Sequence, residues 1–194
     1  MSTSEALSVQ RMLSRLSPQE QDALKQFQSI VAPASPDLIA ACWFLKSEKW
    51  EPPEGARAYQ NSMEWRASRG IDKLLRAPSP FSEEVQGILD EVFALRLLKC
   101  CDLRGRPVLY VPYRHIDIPT LAKRGITQEH LVQRYLLEME RLRLAIRASR
   151  DPLAGHLMIA DVAGVTPLHF MRSRSFYAEV SRLGNVSVTA CCIE

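Results

Sequence analysis

The sequence predicts a mixed α/β fold: a small N-terminal α-helical bundle, then an α/β lobe with a short, mostly parallel sheet. Three observations predict it. Up to about residue 93, helix-start signals recur, each followed by apolar residues at helical spacing. After Gly105 the pattern turns to short apolar runs rich in β-branched and aromatic residues. One long amphipathic helix separates two of these runs, and strand, helix, strand is a βαβ unit with parallel strands and a right-handed crossover.

The elements follow in order. Ser17-Pro18-Gln19-Glu20 combines an N-cap serine, proline at the first helical position and Glu at the third, a capping box. The helix it starts runs to about Val31, with Leu24, Phe27, Ile30 and Val31 on one face. Ser35-Pro36 repeats the start signal, and Leu38, Ile39, Cys42 and Leu45 follow at helical spacing. Pro52-Pro53 opens a third helix that ends near Gly70, a left-handed C-cap. A fourth starts near Ser82 and presents Val85, Ile88, Leu89, Val92 and Phe93, with Ala77-Pro78-Ser79-Pro80 before it as a linker. Residues 106–113 read as a strand, and Thr127 caps a helix to about Ser149 with Val132, Leu136, Met139, Leu142 and Ile146 inward. Residues 156–162 form a near-continuous apolar run, which predicts a strand buried on both faces. Thr166-Pro167 starts a helix reaching about Leu183, and the alternation over 185–193 predicts a third strand. The expected parts are a helical module over 17–76, a linker and helix over 77–101, and the lobe over 102–194.

Composition narrows the function. A chain of 194 residues buries roughly 70% of its unfolded surface, so neither disulfides nor metals are needed for stability. The net charge of +3 and pI of 8.7 come from interspersed charges rather than a basic face, which argues against a nucleic-acid partner. Mild basicity suits an anionic cytoplasmic leaflet. The first ten residues are polar, without the apolar stretch of a secretory signal, and the apolar runs at 38–45 and 157–160 fall short of the ~20 residues of a membrane span. Five cysteines, two pairs of them adjacent and none in C-x-x-C, read as free thiols in a reducing compartment. A cytoplasmic location is therefore expected.

For catalysis the motifs are negative. No Gly-x-Ser-x-Gly elbow, phosphate-binding loop, dinucleotide fingerprint or His-Glu-x-x-His occurs. His115, His130, His156 and His169 lack metal-ligand spacing. No catalytic residue, cofactor or metal is expected, and the chain reads as a non-enzyme. Cys191-Cys192-Ile193-Glu194 resembles a prenylation signal only superficially, because Glu is disfavoured at the last place; a strand end is the expectation.

Several motifs then line up. Leu38 to Leu45 is followed by Met63-Glu64-Trp65-Arg66 and Gly70-Ile71-Asp72. Asp102-Leu103-Arg104-Gly105-Arg106-Pro107-Val108 opens the lobe, and Asp161-Val162-Ala163-Gly164 closes its second strand. In this order and spacing, over about residues 17–183, the chain resembles the CRAL-TRIO family of lipid-binding and lipid-transfer proteins. The basic stretch usual in the second helix is matched only in part by Lys46-Ser47-Glu48-Lys49. The resemblance implies further strands and a gating helix after Leu183. The chain is accordingly expected to be a CRAL-TRIO-like lobe, C-terminally truncated before its lipid pocket is complete.

The resemblance also implies a function and a site: binding of a hydrophobic lipid ligand, and its transfer between membranes through peripheral contact. The inward residues of the first strand, Val108, Tyr110 and Tyr113, would line the lipid floor; plain core or edge packing is their other reading. The second strand would add Met158 and Ala160, or the opposite alternation Leu157 and Ile159. Thr166 and Phe170 would meet the headgroup or acyl chain, Thr166 reading also as a helix cap. Arg141, Arg143, Arg147 and Arg150 would attract phosphate, or form a solvated face balanced by Glu138 and Glu140. Asp102, Gly105 and Asp161 read as turn-formers. The alternative function is a regulatory or protein-interaction module without lipid, self-associating through an open sheet edge.

Overall fold

The capping box at Ser17 forms as its residues dictate. In the computed structural model, which describes residues 9–32, 36–76, 78–93, 95–113 and 116–186, Ser17 Oγ accepts the Glu20 N–H and Glu20 Oε2 accepts the Ser17 N–H at 2.7 Å. Helix α1 (Pro18–Val31) buries Ala23, Leu24, Phe27 and Val31 and leaves Ile30 exposed. Helix α2 (Leu38–Ser47) starts from Asp37 rather than Ser35, because the Asp37 carboxylate accepts the Ala40 N–H at 3.0 Å. Residues 39–45 of α2 are all buried, so this helix is the centre of the bundle. Helix α3 (Pro52–Arg69) crosses it at Gly55, where a Cβ would stand 3.3 Å from Leu45 Cδ2. It ends at Gly70, whose φ of 62° is the left-handed cap its sequence predicts. Helix α4 (Glu83–Val92) starts at Ser82, which accepts the Val85 N–H.

The sheet has a strand that the sequence reading assigned to the linker-and-helix segment. Strand β1 (Arg96–Cys101) runs antiparallel to β2 (Pro107–Pro112), with Leu97 opposite Leu109 and an irregularity before Cys101. Asp102 makes the turn: its Oδ1 accepts the N–H groups of Arg104 and Arg106 and its Oδ2 accepts Arg106 Nε–H at 2.7 Å. Gly105 supplies the φ of 78° that the turn requires. A short helix α5 (Ile118–Lys123) and the crossover helix α6 (Gln128–Ala148) lead to β3 (Leu157–Asp161), which pairs with β2 in parallel. The βαβ unit is therefore present. The sheet order β1-β2-β3 makes it mixed rather than mostly parallel, because β1 arrives by a tight hairpin.

Helices α7 (Pro167–Arg172) and α8 (Arg174–Val186) follow. Asn185 and Val186 belong to α8 and not to a strand; residues 187–193 of that expected strand lie outside the described residues, as does the Cys191–Cys192 ending. One hydrophobic cluster runs from Met12 through the bundle, β2 and α6 to Leu183. Val132, Leu136, Met139, Leu142 and Ile146, the inner stripe expected of α6, are all buried in it. Polar ties join bundle to lobe: Trp43 Nε1–H donates to Pro152 O at 2.9 Å, Lys46 Nζ to Leu153 O, and ion pairs link Arg15 to Asp151 and Arg147 to Asp37. Among the described residues no helix is long and apolar enough to cross a membrane.

Candidate functional site

The register of β2 on β3 decides which of the expected site residues share a surface. Partners across a parallel ladder point to the same side, and side chains alternate along each strand. Val108 pairs with Leu157 and Tyr110 with Ile159; Leu109 pairs with Met158 and Val111 with Ala160. Leu109 and Val111 belong to the core that α6 covers. Met158 and Ala160 therefore lie on the α6 side of the sheet, and Val108 and Tyr110 lie on the opposite side with Leu157 and Ile159. The seven residues do not form one floor.

Val108 is buried, and Tyr110 is half-buried with its hydroxyl donating to Asp161 Oδ2 at 2.9 Å. Asp161 also accepts the Ala163 N–H at 3.0 Å, so it shapes the turn after β3 as its sequence context suggested. The apolar run of β3 is not buried on both faces: Met158 is 45% and Ile159 44% exposed. The cause is position, since among the described residues β3 is the last strand of the sheet, while α6 packs over β1 and β2.

Tyr113 and Phe170 are brought together, through a residue that the sequence reading did not single out. Phe170 stacks on Tyr177 with ring centroids 5.1 Å apart and planes 11° from parallel, and Tyr113 tilts onto the same ring at 5.9 Å. Phe176 extends the cluster inward to Phe93 at 5.7 Å. Burial and the neighbouring Tyr113 push the Tyr177 phenol up to about 12, and the same two causes act on Tyr135. These phenols stay neutral, so the cluster presents an uncharged aromatic wall. No local pattern marks this pair, since Phe170 lies on α7 and Tyr177 on α8, and only the angle between the two helices brings the rings together. Thr166 serves as the helix cap, accepting the His169 N–H at 3.2 Å.

Arg66 and Asp72, from the Trp65-Arg66 and Gly70-Ile71-Asp72 motifs, join α6 in a buried ion cluster. Arg66 is buried and donates two hydrogen bonds to Glu140, at 2.7 and 3.0 Å, and others to Asp72. Burial alone would lower the Arg66 pKa; the hydrogen bonds to Glu140 and Asp72 more than offset it, and it is raised. Arg143 closes on Glu140 at 3.0 Å. A second cluster joins Asp90, Arg134, Glu138 and Arg141. Glu138 and Glu140 are buried, which corrects the expectation of a solvated face; Arg141, Arg143 and Arg147 each hold a carboxylate and are committed to structure. A cleft of about 340 Å³ beside Leu74, Gln86, Asp90, Arg134 and Arg141 is lined by these compensated charges, which suits water or a small polar molecule rather than an acyl chain. Among the described residues no group of three or more His, Cys, Asp or Glu is placed to hold a metal ion.

Comparison with known protein families finds no family model that matches the chain, and comparison with curated proteins finds no match either.

Proposed function

We propose that the protein is a non-catalytic binder of a hydrophobic ligand, of the phospholipid, phosphoinositide or isoprenoid class, and that it transfers this ligand between membranes in the cytoplasm. The ligand lies against the α6 side of β3, touching Met158 and Ala160, with Phe170 and its aromatic neighbours at one end. One observation carries the reading: a strand and the helix after it, both apolar in sequence, keep their large side chains in contact with water. Exposed apolar surface of this kind marks a binding site. An acyl chain leaving a bilayer for such a surface exchanges one apolar environment for another, so the protein needs only to recognise the headgroup and lower the barrier. The CRAL-TRIO-like motifs and the free thiols of Cys42, Cys100 and Cys101 support the class and the compartment.

Native mass spectrometry after incubation with mixed phospholipid vesicles tests it. The protein is expected to carry a lipid-sized adduct that Met158→Asp or Ala160→Asp removes and Ile159→Asp, on the other side of the sheet, retains. Protein that stays empty at every vesicle concentration contradicts the reading.

A second reading, a protein-interaction module without lipid, is favoured by the place of β3 at the end of the strand order. It calls for an added strand on that edge, and sedimentation of empty protein as a concentration-dependent dimer would support it.

A further inference from the structure

We propose that α7, with the loop before it, is the docking surface for the anionic face of a lipid bilayer. The inference rests on the lipid-binding reading and names the membrane element of that site.

Helix α7 buries none of its six residues. Three of them are nevertheless large and apolar: Leu168 is 55%, Phe170 56% and Met171 63% exposed, and Val162 in the preceding loop is 61% exposed. A helix this short has no stability of its own in water, and this one is not held by burial of its own side chains. It is held at its ends instead. Thr166 caps the first turn, and Ser173, fully buried, donates its hydroxyl to Ile116 O at 2.6 Å. Phe170 is braced on Tyr177. The backbone is thus pinned while its apolar side chains face outward.

The charge pattern selects the occupant. No acidic residue stands between Asp161 and Glu179, whereas Arg172 and Arg174 are exposed and hold no carboxylate among the described residues. Arg57, Arg124 and Arg182 are paired with Glu54, Glu91 and Glu179, whereas Arg11, Arg69, Arg76, Arg104 and Arg150 are exposed without an ion pair among the described residues. Arg172 and Arg174 differ from these in standing beside the exposed Leu168, Phe170 and Met171. Apolar side chains rimmed by uncompensated arginines are the composition of an element that lies in a membrane interface. Each arginine at an anionic surface strengthens partitioning roughly fivefold. An edge strand of a protein partner would draw on the backbone of β3 and make no use of the two arginines.

Co-sedimentation of the full chain with vesicles of phosphatidylcholine alone, or of phosphatidylcholine mixed with phosphatidylserine, tests this. Wild-type protein is expected to prefer the serine-containing vesicles. Arg172→Gln with Arg174→Gln should remove roughly 25-fold of that preference, two arginines at fivefold each. Leu168→Ser with Met171→Ser should abolish sedimentation with both vesicles, and near-UV circular dichroism checks that each variant keeps its fold; the arginine variant alone decides should the apolar one unfold. Equal binding to both vesicles, or full retention by the arginine variant, overturns the proposal. So does a dimer in light scattering that Leu168→Ser with Met171→Ser dissolves while no vesicle binds, which would assign the surface to a second copy. Native mass spectrometry separates the two readings: empty protein that still sediments with anionic vesicles defeats the ligand-binding reading alone, and lipid-loaded protein that ignores vesicles defeats this one alone.

Discussion

Arg66 is the residue whose environment constrains the molecule most. Its guanidinium lies inside the protein between Glu140 on α6 and Asp72 in the turn after α3, so the end of α3 and the crossover helix meet at one charge. Removing Arg66 leaves the buried Glu140 with Arg143 alone, and removing Glu140 leaves the buried Arg66 with the exposed Asp72 alone. Arg66→Ala or Glu140→Ala is expected to cost ~3–5 kcal/mol in urea unfolding, and Arg66→Met combined with Glu140→Leu markedly less than the sum. His156 gives a second expectation. Burial, and then the charge of Arg106, lower its pKa below the usual 6.5, and its buried Nδ1 has no hydrogen-bond partner among the described residues. The unfolded chain binds the proton more readily, so this contribution is complete above pH 6.5 and is lost as the pH falls below it. Thermal unfolding followed between pH 8 and 5 should show the fall, and His156→Gln should flatten it. Asp102, held below its ordinary 3.8 mainly by the Arg106 backbone N–H, contributes fully above pH 3.8 and loses that contribution only in stronger acid. Local chemistry was legible at this scale: Ser17, Thr127, Thr166 and Gly70 cap the helices that their neighbours in sequence announce. The Arg66–Glu140 contact was not, because 74 residues separate the partners and no local pattern records it.

Among the elements, the two outer strands account for what the sequence concealed. In β1 the order Arg96-Leu97-Leu98-Lys99-Cys100-Cys101 does not alternate, and most of its side chains remain in solvent, so the period-2 signal is missing. The Asp102–Arg106 turn was readable and the strand entering it was not. In β3 the apolar run suggested burial on both faces, but among the described residues β3 is the last strand of the sheet. The alternation of β2 and β3 was visible, yet only the register Val111 to Ala160 decides which residues share a side. That assignment makes its own prediction. Leu109→Ala on the core side should cost ~2–5 kcal/mol, whereas Ile159→Lys on the exposed strand should change stability by no more than about 0.5 kcal/mol. Denaturation of both variants checks it, and comparable losses would contradict the assigned faces.

For the molecule as a whole, a single core joins the helical bundle to the sheet, and Trp43, Lys46, Arg15 and Arg147 tie the two across long stretches of chain. The bundle is therefore tied to the lobe just before β3, while the large apolar side chains of β3 and α7 lie outward. A mixed α/β fold and a βαβ unit were readable from periodicity; the surface was not, since exposure belongs to the assembled fold. Photo-crosslinking tests the account most directly: a phospholipid with a photoreactive acyl chain is incubated with the full chain, irradiated, and the labelled peptides are mapped. The predicted label falls on residues 157–171, at Met158, Ala160 and Phe170 above all. Label confined to other segments, such as the polar cleft beside Arg134, or no label at all, would contradict it.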